Sequence, residues 1–258
     1  MAEPATLVRP SVIWCDFGGV LTPPIAEAAR SVALAAGVPW DLLWAAAQRV
    51  AEDLGLVGLQ PLELGVLSQR EWGSRLEARL PLECKPRIDL GSWGDYWYRD
   101  RPVDGDLLTE LGKLKVCGTR IGMLTNSVLE WEPHRQRLLG DHSRIFEPVV
   151  RSHEIGIAKP DPRIFAHADA QTHSGATPPL LIDDSAENCA AAFSAGWMVH
   201  HHRDREETLA LLRCFTDAWG TNRDQGSGLR AGTTGNVAEN GLREATVDTD
   251  VLPGDVTR

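Results

Sequence analysis

What the chain lacks narrows its class first. No apolar stretch approaches the roughly 18 residues that a membrane-crossing helix needs, so no membrane partner is expected. The five cysteines (Cys15, Cys84, Cys117, Cys189, Cys214) are odd in number, scattered and free of C-x-x-C spacing. That pattern disfavours both structural zinc and a disulfide framework, and it points to a reducing, cytoplasmic setting. No cluster of Lys and Arg offsets a formal net charge of −10, so no nucleic-acid partner is expected either. The first ten residues, MAEPATLVRP, lack the basic-then-apolar order of a secretion signal. Internal repeats are also missing.

What is present suffices for a substantial core. The hydrophobic fraction is 43% over 258 residues, which fits one large domain or a domain carrying a modest insertion. Three short apolar runs carry the architecture: Val12–Cys15, Ile121–Leu124 and Leu180–Ile182. None alternates with polar residues, as expected of parallel strands covered on both faces. Helical patterns lie between them, so the expected fold is α/β, a doubly wound parallel sheet. Each run stops at polar residues, namely Asp16, Thr125-Asn126 and Asp183-Asp184. In such sheets ligands collect beyond the carboxyl ends of the strands, which puts these residues around one crevice.

The expected α/β core comprises residues 11–23 and 102–216, and residues 24–101 read as a helical insertion with no convincing strand. Within it, IAEAARSVALAAG closes at Gly37, and Pro39 opens a second helix. A third, SQREWGSRLEARL, has Ser68 as N-cap and Glu71 at capping-box spacing. The aromatic stretch GSWGDYWYRD near its end fits insertion core or the lining of a substrate pocket, with Trp93, Trp97 and Arg99 as candidate contacts. From residue 221 onward the composition is rich in Gly, Thr, Asn and Asp and nearly free of large apolar residues, so residues 221–258 are expected to be a flexible tail.

Four pieces carry chemistry. Asp16 ends a buried run and is followed by Gly18-Gly19, which leaves room for a ligand to approach the backbone. Thr125 and Asn126, with the amides of the next turn, are donors suited to phosphate oxygens. Lys159 sits before Pro160 and Pro162 at a helix entrance, where its cation can neutralise an anion. Asp183 and Asp184, adjacent on an apolar strand, would repel each other unless a cation sat between them and Asp16. Hard oxygen ligands of this kind fit Mg²⁺. Taken singly, each piece also reads as ordinary capping, turn or surface chemistry.

In this order and spacing, the four pieces resemble the motifs of the haloacid dehalogenase-like (HAD) hydrolase superfamily. The closest likeness is to its phosphatase branch with a helical cap inserted after the first motif. The resemblance runs from about Ser11 to Phe215 and includes LELGVLSQREW, similar to the usual lead-in to a cap helix. It implies that Asp16 is the nucleophile that forms an aspartyl-phosphate, that Thr125 orients the phosphoryl group, and that Lys159 balances charge. Asn126, Gly19 and Trp97 would touch the substrate. Mg²⁺ would be held by Asp16, the carbonyl of Gly18, Asp184 and, directly or through water, Asp183. The substrate would be a small phosphorylated metabolite, and the protein a monomer or homodimer.

One departure stands out. The pattern at the first motif is D-x-D-x-[TV], whereas this chain reads Asp16-Phe17-Gly18-Gly19-Val20. The second aspartate ordinarily protonates the leaving group and activates water, a contribution of about 10²–10⁴-fold. Gly18 can do neither. Three readings stay open: a phosphatase that draws its proton from elsewhere, a 2-haloacid dehalogenase, or a phosphate- or diphosphate-binding protein with another reaction or a regulatory role. The dehalogenase reading needs no acid but does not account for Asp183-Asp184. The consecutive His200, His201 and His202 cannot all face one ion, since strand neighbours point to opposite faces, and they read as a strand end entering solvent. Cys15 reads as core.

Overall fold

Each of the three apolar runs forms a strand, and two shorter strands complete the sheet. The computed structural model describes residues 8–172 and 177–220; the expected tail, 221–258, lies outside the described residues. The strands are β1 (Ile13–Cys15), β2 (Ile121–Thr125), β3 (Val149–Arg151), β4 (Leu180–Asp183) and β5 (Met198–His201). All pair in parallel, in the order β3-β2-β1-β4-β5. The chain builds outward from β1 on one side and then crosses over to β4, so the topological switch falls between β1 and β4.

Five helices fill the interval between the first two strands before a sixth leads into β2. They are α1 (Ile25–Ala36), α2 (Trp40–Glu52), α3 (Gln60–Glu63), α4 (Gln69–Glu77) and α5 (Trp93–Trp97), followed by α6 (Gly105–Val116). After β2 comes α7 (Glu132–Leu139), and after β3 come α8 (Ser152–Ile155) and α9 (Pro162–Thr172). Then α10 (Ala186–Ser194) follows β4, and α11 (Arg205–Gly220) follows β5. Local chemistry sets several boundaries. Gly37 ends α1 at φ 65°, a left-handed turn that costs glycine nothing. Ser68 and Glu71 form the reciprocal capping box that starts α4.

Strand alternation sorts the core into two layers. Ile13, Cys15, Ile121, Met123, Leu180 and Ile182 face α6 and α11, packing on Leu107, Leu111, Leu209 and Phe215. Val12, Trp14, Leu124 and Leu181 face the opposite way, against Ile164 and Phe165 of α9 and Ala192 of α10. The sheet is therefore doubly wound. A third apolar cluster is separate from both and lies among α1–α5, with Trp72 and Trp93 fully buried in T-shaped contact at 4.6 Å. Val128 and Trp131, from the segment after β2, join that third cluster.

The triple histidine departs from its expected role. His200 is buried and shares the Thr208 hydroxyl with His202, at 2.8 and 2.7 Å, while His201 Nε2 lies 3.0 Å from the Asp184 carbonyl. Rather than fraying into solvent, the end of β5 is fastened to α11 and to the acidic turn. Burial holds the His200 imidazole down at about 4, so it is neutral near pH 7.

Candidate active site

Asp16 is set in place by backbone pairing. Its N–H donates to the Ile182 carbonyl at 2.9 Å, which extends the β1–β4 ladder by one step and holds the carboxylate at the switch point. The chain then turns sharply through Phe17, Gly18 and Gly19. Gly19 has φ +86°, and a side-chain carbon there would collide with the Asp184 carboxylate. Glycine is required at this position so that the two acidic turns can lie against each other.

Lys159 is the cation at the centre. Its Nζ lies 3.0 Å from Asp16 Oδ1 and 2.5 Å from Asp183 Oδ2, and all three side chains are nearly inaccessible. Asn126 secures the loop that carries it. The Asn126 Oδ1 accepts from the Lys159 N–H at 2.8 Å, and its Nδ2 donates to the Lys159 carbonyl at 3.0 Å. The amide predicted to touch substrate thus spends both ends on positioning the lysine. Burial works against the Lys159 charge, yet Asp16 and Asp183 outweigh it and hold the ammonium above its usual range.

Asp183 is fully buried and well satisfied. Besides Lys159, it accepts from the Ser185 N–H and the Asn188 amide, each at 2.9 Å, at the start of α10. Asp184 is more open and faces Gly19. One carboxylate oxygen from each of Asp16, Asp183 and Asp184 falls within 4.8 Å of the other two. Burial pushes the Asp16 carboxyl up to about 7, with Lys159 opposing and Asp183 and Asp184 adding to the rise. Burial and Asp183 likewise push Asp184 up to about 6. Three acids against one ammonium leave an excess of negative charge that a hard divalent cation would balance, and the donors are all oxygen.

Two cavities flank the Asp16 turn. The inner one, about 50 Å³, runs from Gly18, Thr125 and Asn126 to Glu63, Trp97 and Tyr98 of the helical segment. Arg101, Glu132 and Arg135 also line it. The outer one is a wider groove that includes Gly19 and Asp184. The predicted residues Asp16, Lys159, Asp183 and Asp184 converge, Thr125 and Gly18 border the inner cavity, and Trp97 reaches its wall. Two other candidates do not arrive. Trp93 is sealed inside the helical segment, and the exposed Arg99 lies over the Tyr96 ring at 4.3 Å. Tyr98 comes from the aromatic stretch read as a possible pocket lining, whereas Glu63, Arg101 and Arg135 were not foreseen, since no motif spacing marks them.

No family model matches the chain, and no curated protein matches it. Solved structures do. A HAD family enzyme from Bacteroides thetaiotaomicron, in complex with magnesium and inorganic phosphate, is 19% identical, with a TM-score of 0.53 over 74% of this chain and 93% of that one. A 2-haloacid dehalogenase from Pseudomonas syringae pv. Tomato is 17% identical, with a TM-score of 0.57 over 82% of this chain and 100% of that one. A predicted HAD-like hydrolase from Porphyromonas gingivalis is 20% identical, with a TM-score of 0.54 over 76% and 91% of the two chains. With its parallel five-stranded sheet and its acidic strand ends, the chain has the fold of the haloacid dehalogenase-like enzymes.

Proposed function

We propose that the protein is a Mg²⁺-dependent phosphatase acting on a small phosphorylated metabolite, with residues 24–101 serving as its cap. The observation that carries this reading is the convergence of Asp16, Asp183 and Asp184 within 4.8 Å, beside a buried lysine. The magnesium and inorganic phosphate bound in the structurally similar Bacteroides enzyme support it. A dehalogenase displaces halide from carbon and has no use for a divalent cation. The Asp184 carboxylate, half-buried against Gly19 and without a direct salt bridge among the described residues, has no evident role in that reaction.

The chain's own residues would act as follows. One Asp16 oxygen attacks phosphorus, the bond from phosphorus to the ester oxygen breaks, and an aspartyl-phosphate forms. Lys159 favours the ionised form of Asp16 and orients it, while the Asn126 clamp stops the lysine from drifting. The Thr125 hydroxyl, at the end of β2, would hold a phosphoryl oxygen. When bound by Asp16, the Gly18 carbonyl and Asp184, with Asp183 assisting directly or through water, Mg²⁺ supplies the charge that admits a phosphate dianion among carboxylates. Catalysis is then positioning and electrostatic stabilisation of a loose transition state.

The test is release of inorganic phosphate from an aryl phosphate. We expect activity with Mg²⁺, loss of activity in excess chelator, and no turnover by Asp16→Asn in a variant that keeps the native circular dichroism spectrum. Normal turnover by Asp16→Asn would overturn the nucleophile assignment. Halide release from a 2-haloacid would replace this reading with dehalogenation. A panel of phosphate esters left untouched, together with a thermal shift caused by inorganic phosphate, would point to a phosphate-binding protein of another kind.

A further inference from the structure

A phosphatase built on this site lacks the acid that its first motif would ordinarily supply, and the structure shows why a larger residue is not simply missing from an open space. A side-chain carbon at Gly18 would meet the Ile25 side chain at 3.3 and 3.4 Å, so the start of α1 packs over this glycine. The inner cavity, which Gly18 and Thr125 border, can supply the proton instead. Its ionisable groups are Glu63, Tyr98, Arg101, Glu132 and Arg135. Burial pushes the Tyr98 hydroxyl up to about 12, too basic to exchange protons near neutrality. Arginine does not deprotonate in proteins. Glu132 is committed to ion pairs with Arg135 and, at 2.8 Å, Arg151. One acid remains.

We propose that Glu63 is the general acid and base of this active site, replacing the function absent at Gly18. The inference rests on the phosphatase reading. As Asp16 bonds to phosphorus and the ester bond breaks, protonated Glu63 gives its proton to the departing oxygen. The resulting carboxylate then takes a proton from the water that attacks the aspartyl-phosphate, which releases phosphate and restores both acids. The placement is built into the fold. The Glu63 carbonyl accepts from the Ser152 hydroxyl at 2.6 Å, and that same hydroxyl accepts from the Ser127 N–H at 2.9 Å, beside Asn126. Two residues on, Gly65 passes so close to α8 that a side-chain carbon would sit 3.2 Å from the His153 carbonyl. Glu63 is half-buried, and desolvation raises its carboxyl to about 7 against the pull of Lys159, with no hydrogen bond to its ionised form among the described residues. A group titrating there serves as acid and base in turn near neutral pH.

The decisive experiment is pre-steady-state hydrolysis of 2,4-dinitrophenyl phosphate, whose leaving group needs no proton. Glu63→Gln should release about one equivalent of dinitrophenolate in a burst and then turn over about 10²–10⁴-fold more slowly than wild type, because the second step has lost its base. Aspartyl-phosphate should accumulate, and Glu63→Asp, which keeps an acid, should recover part of the rate. Steady turnover by Glu63→Gln at the wild-type rate overturns the proposal. So does loss of the burst together with turnover, which would make Glu63 structural. Wild-type protein that hydrolyses neither this ester nor any sugar phosphate instead overturns the phosphatase reading beneath it.

Discussion

At Asp16 and Asp184, protons and a cation compete for the same oxygens. Both carboxyls titrate above the ordinary value of 3.8, at about 7 and about 6, so the folded protein binds protons that the unfolded chain has already released. Their contribution to stability is fully present below pH 3.8 and is lost as pH rises through about 7. His200 runs the other way, because its imidazole titrates at about 4 in the fold and 6.5 outside it, so stability grows as pH rises across that interval. A cation needs the ionised acids and has no contact with His200, so the histidine effect cancels between metal and chelator. We therefore predict that the rise in melting temperature caused by Mg²⁺ is larger at about pH 8 than at about pH 5.5, and that Asp184→Asn removes most of it. Thermal denaturation in Mg²⁺ and in chelator at both pH values measures the difference. An increment independent of pH would contradict the assignment of these acids as ligands.

Among the elements, packing leaves little room in the helical segment. Gly73 lies inside α4, yet a side-chain carbon there would collide with the backbone of Leu90 and Gly91. The close approach exists because α4 lies directly on the turn formed by Leu90–Ser92. Gly73→Ala should therefore cost about 1–3 kcal/mol through forced separation, although alanine is the better helix former. Gly105, at the start of α6, meets nothing within 4 Å, and Gly105→Ala should stay within about 0.5 kcal/mol of wild type. Urea unfolding of the two variants checks the contrast. Elements differed in how readily the sequence announced them. β1, β2 and β4 are covered on both faces, so they read as unbroken apolar runs. β3 and β5 lie at the two edges of the sheet, are only partly covered and carry Arg151 and His201, so composition hides β3 and shows β5 only through the histidines at its end. The capping box of α4 and Gly37 at the end of α1 were legible because each is a local interaction, independent of the rest of the fold.

Across the whole molecule, the site is shared between two apolar assemblies. Asp16, Thr125, Asp183 and Asp184 stand at or just beyond strand ends, which is why the sequence alone could bring them together. Glu63, Tyr98 and Arg135 reach the same cavity only because the helical segment seats on the sheet domain, and no periodicity encodes that contact. The seat is specific. Trp131, from the sheet side, packs against Trp97 in a tilted contact at a centroid distance of 5.0 Å and donates its indole N–H to Gln69. The Gln69 N–H donates to Glu130 at 2.9 Å. Ser152 is the fully buried pin nearest the chemistry, since its hydroxyl joins Glu63 of one assembly to Ser127 of the other. Ser152→Ala removes two half-buried hydrogen bonds, to the Glu63 carbonyl and from the Ser127 N–H, at a cost of about 1–3 kcal/mol together. If the pin also places Glu63, the variant should keep the dinitrophenolate burst while its steady rate falls, a weaker copy of Glu63→Gln. Loss of stability with an unchanged steady rate would assign Ser152 to holding the two assemblies together and would leave the placement of Glu63 to the neighbouring contact at Gly65.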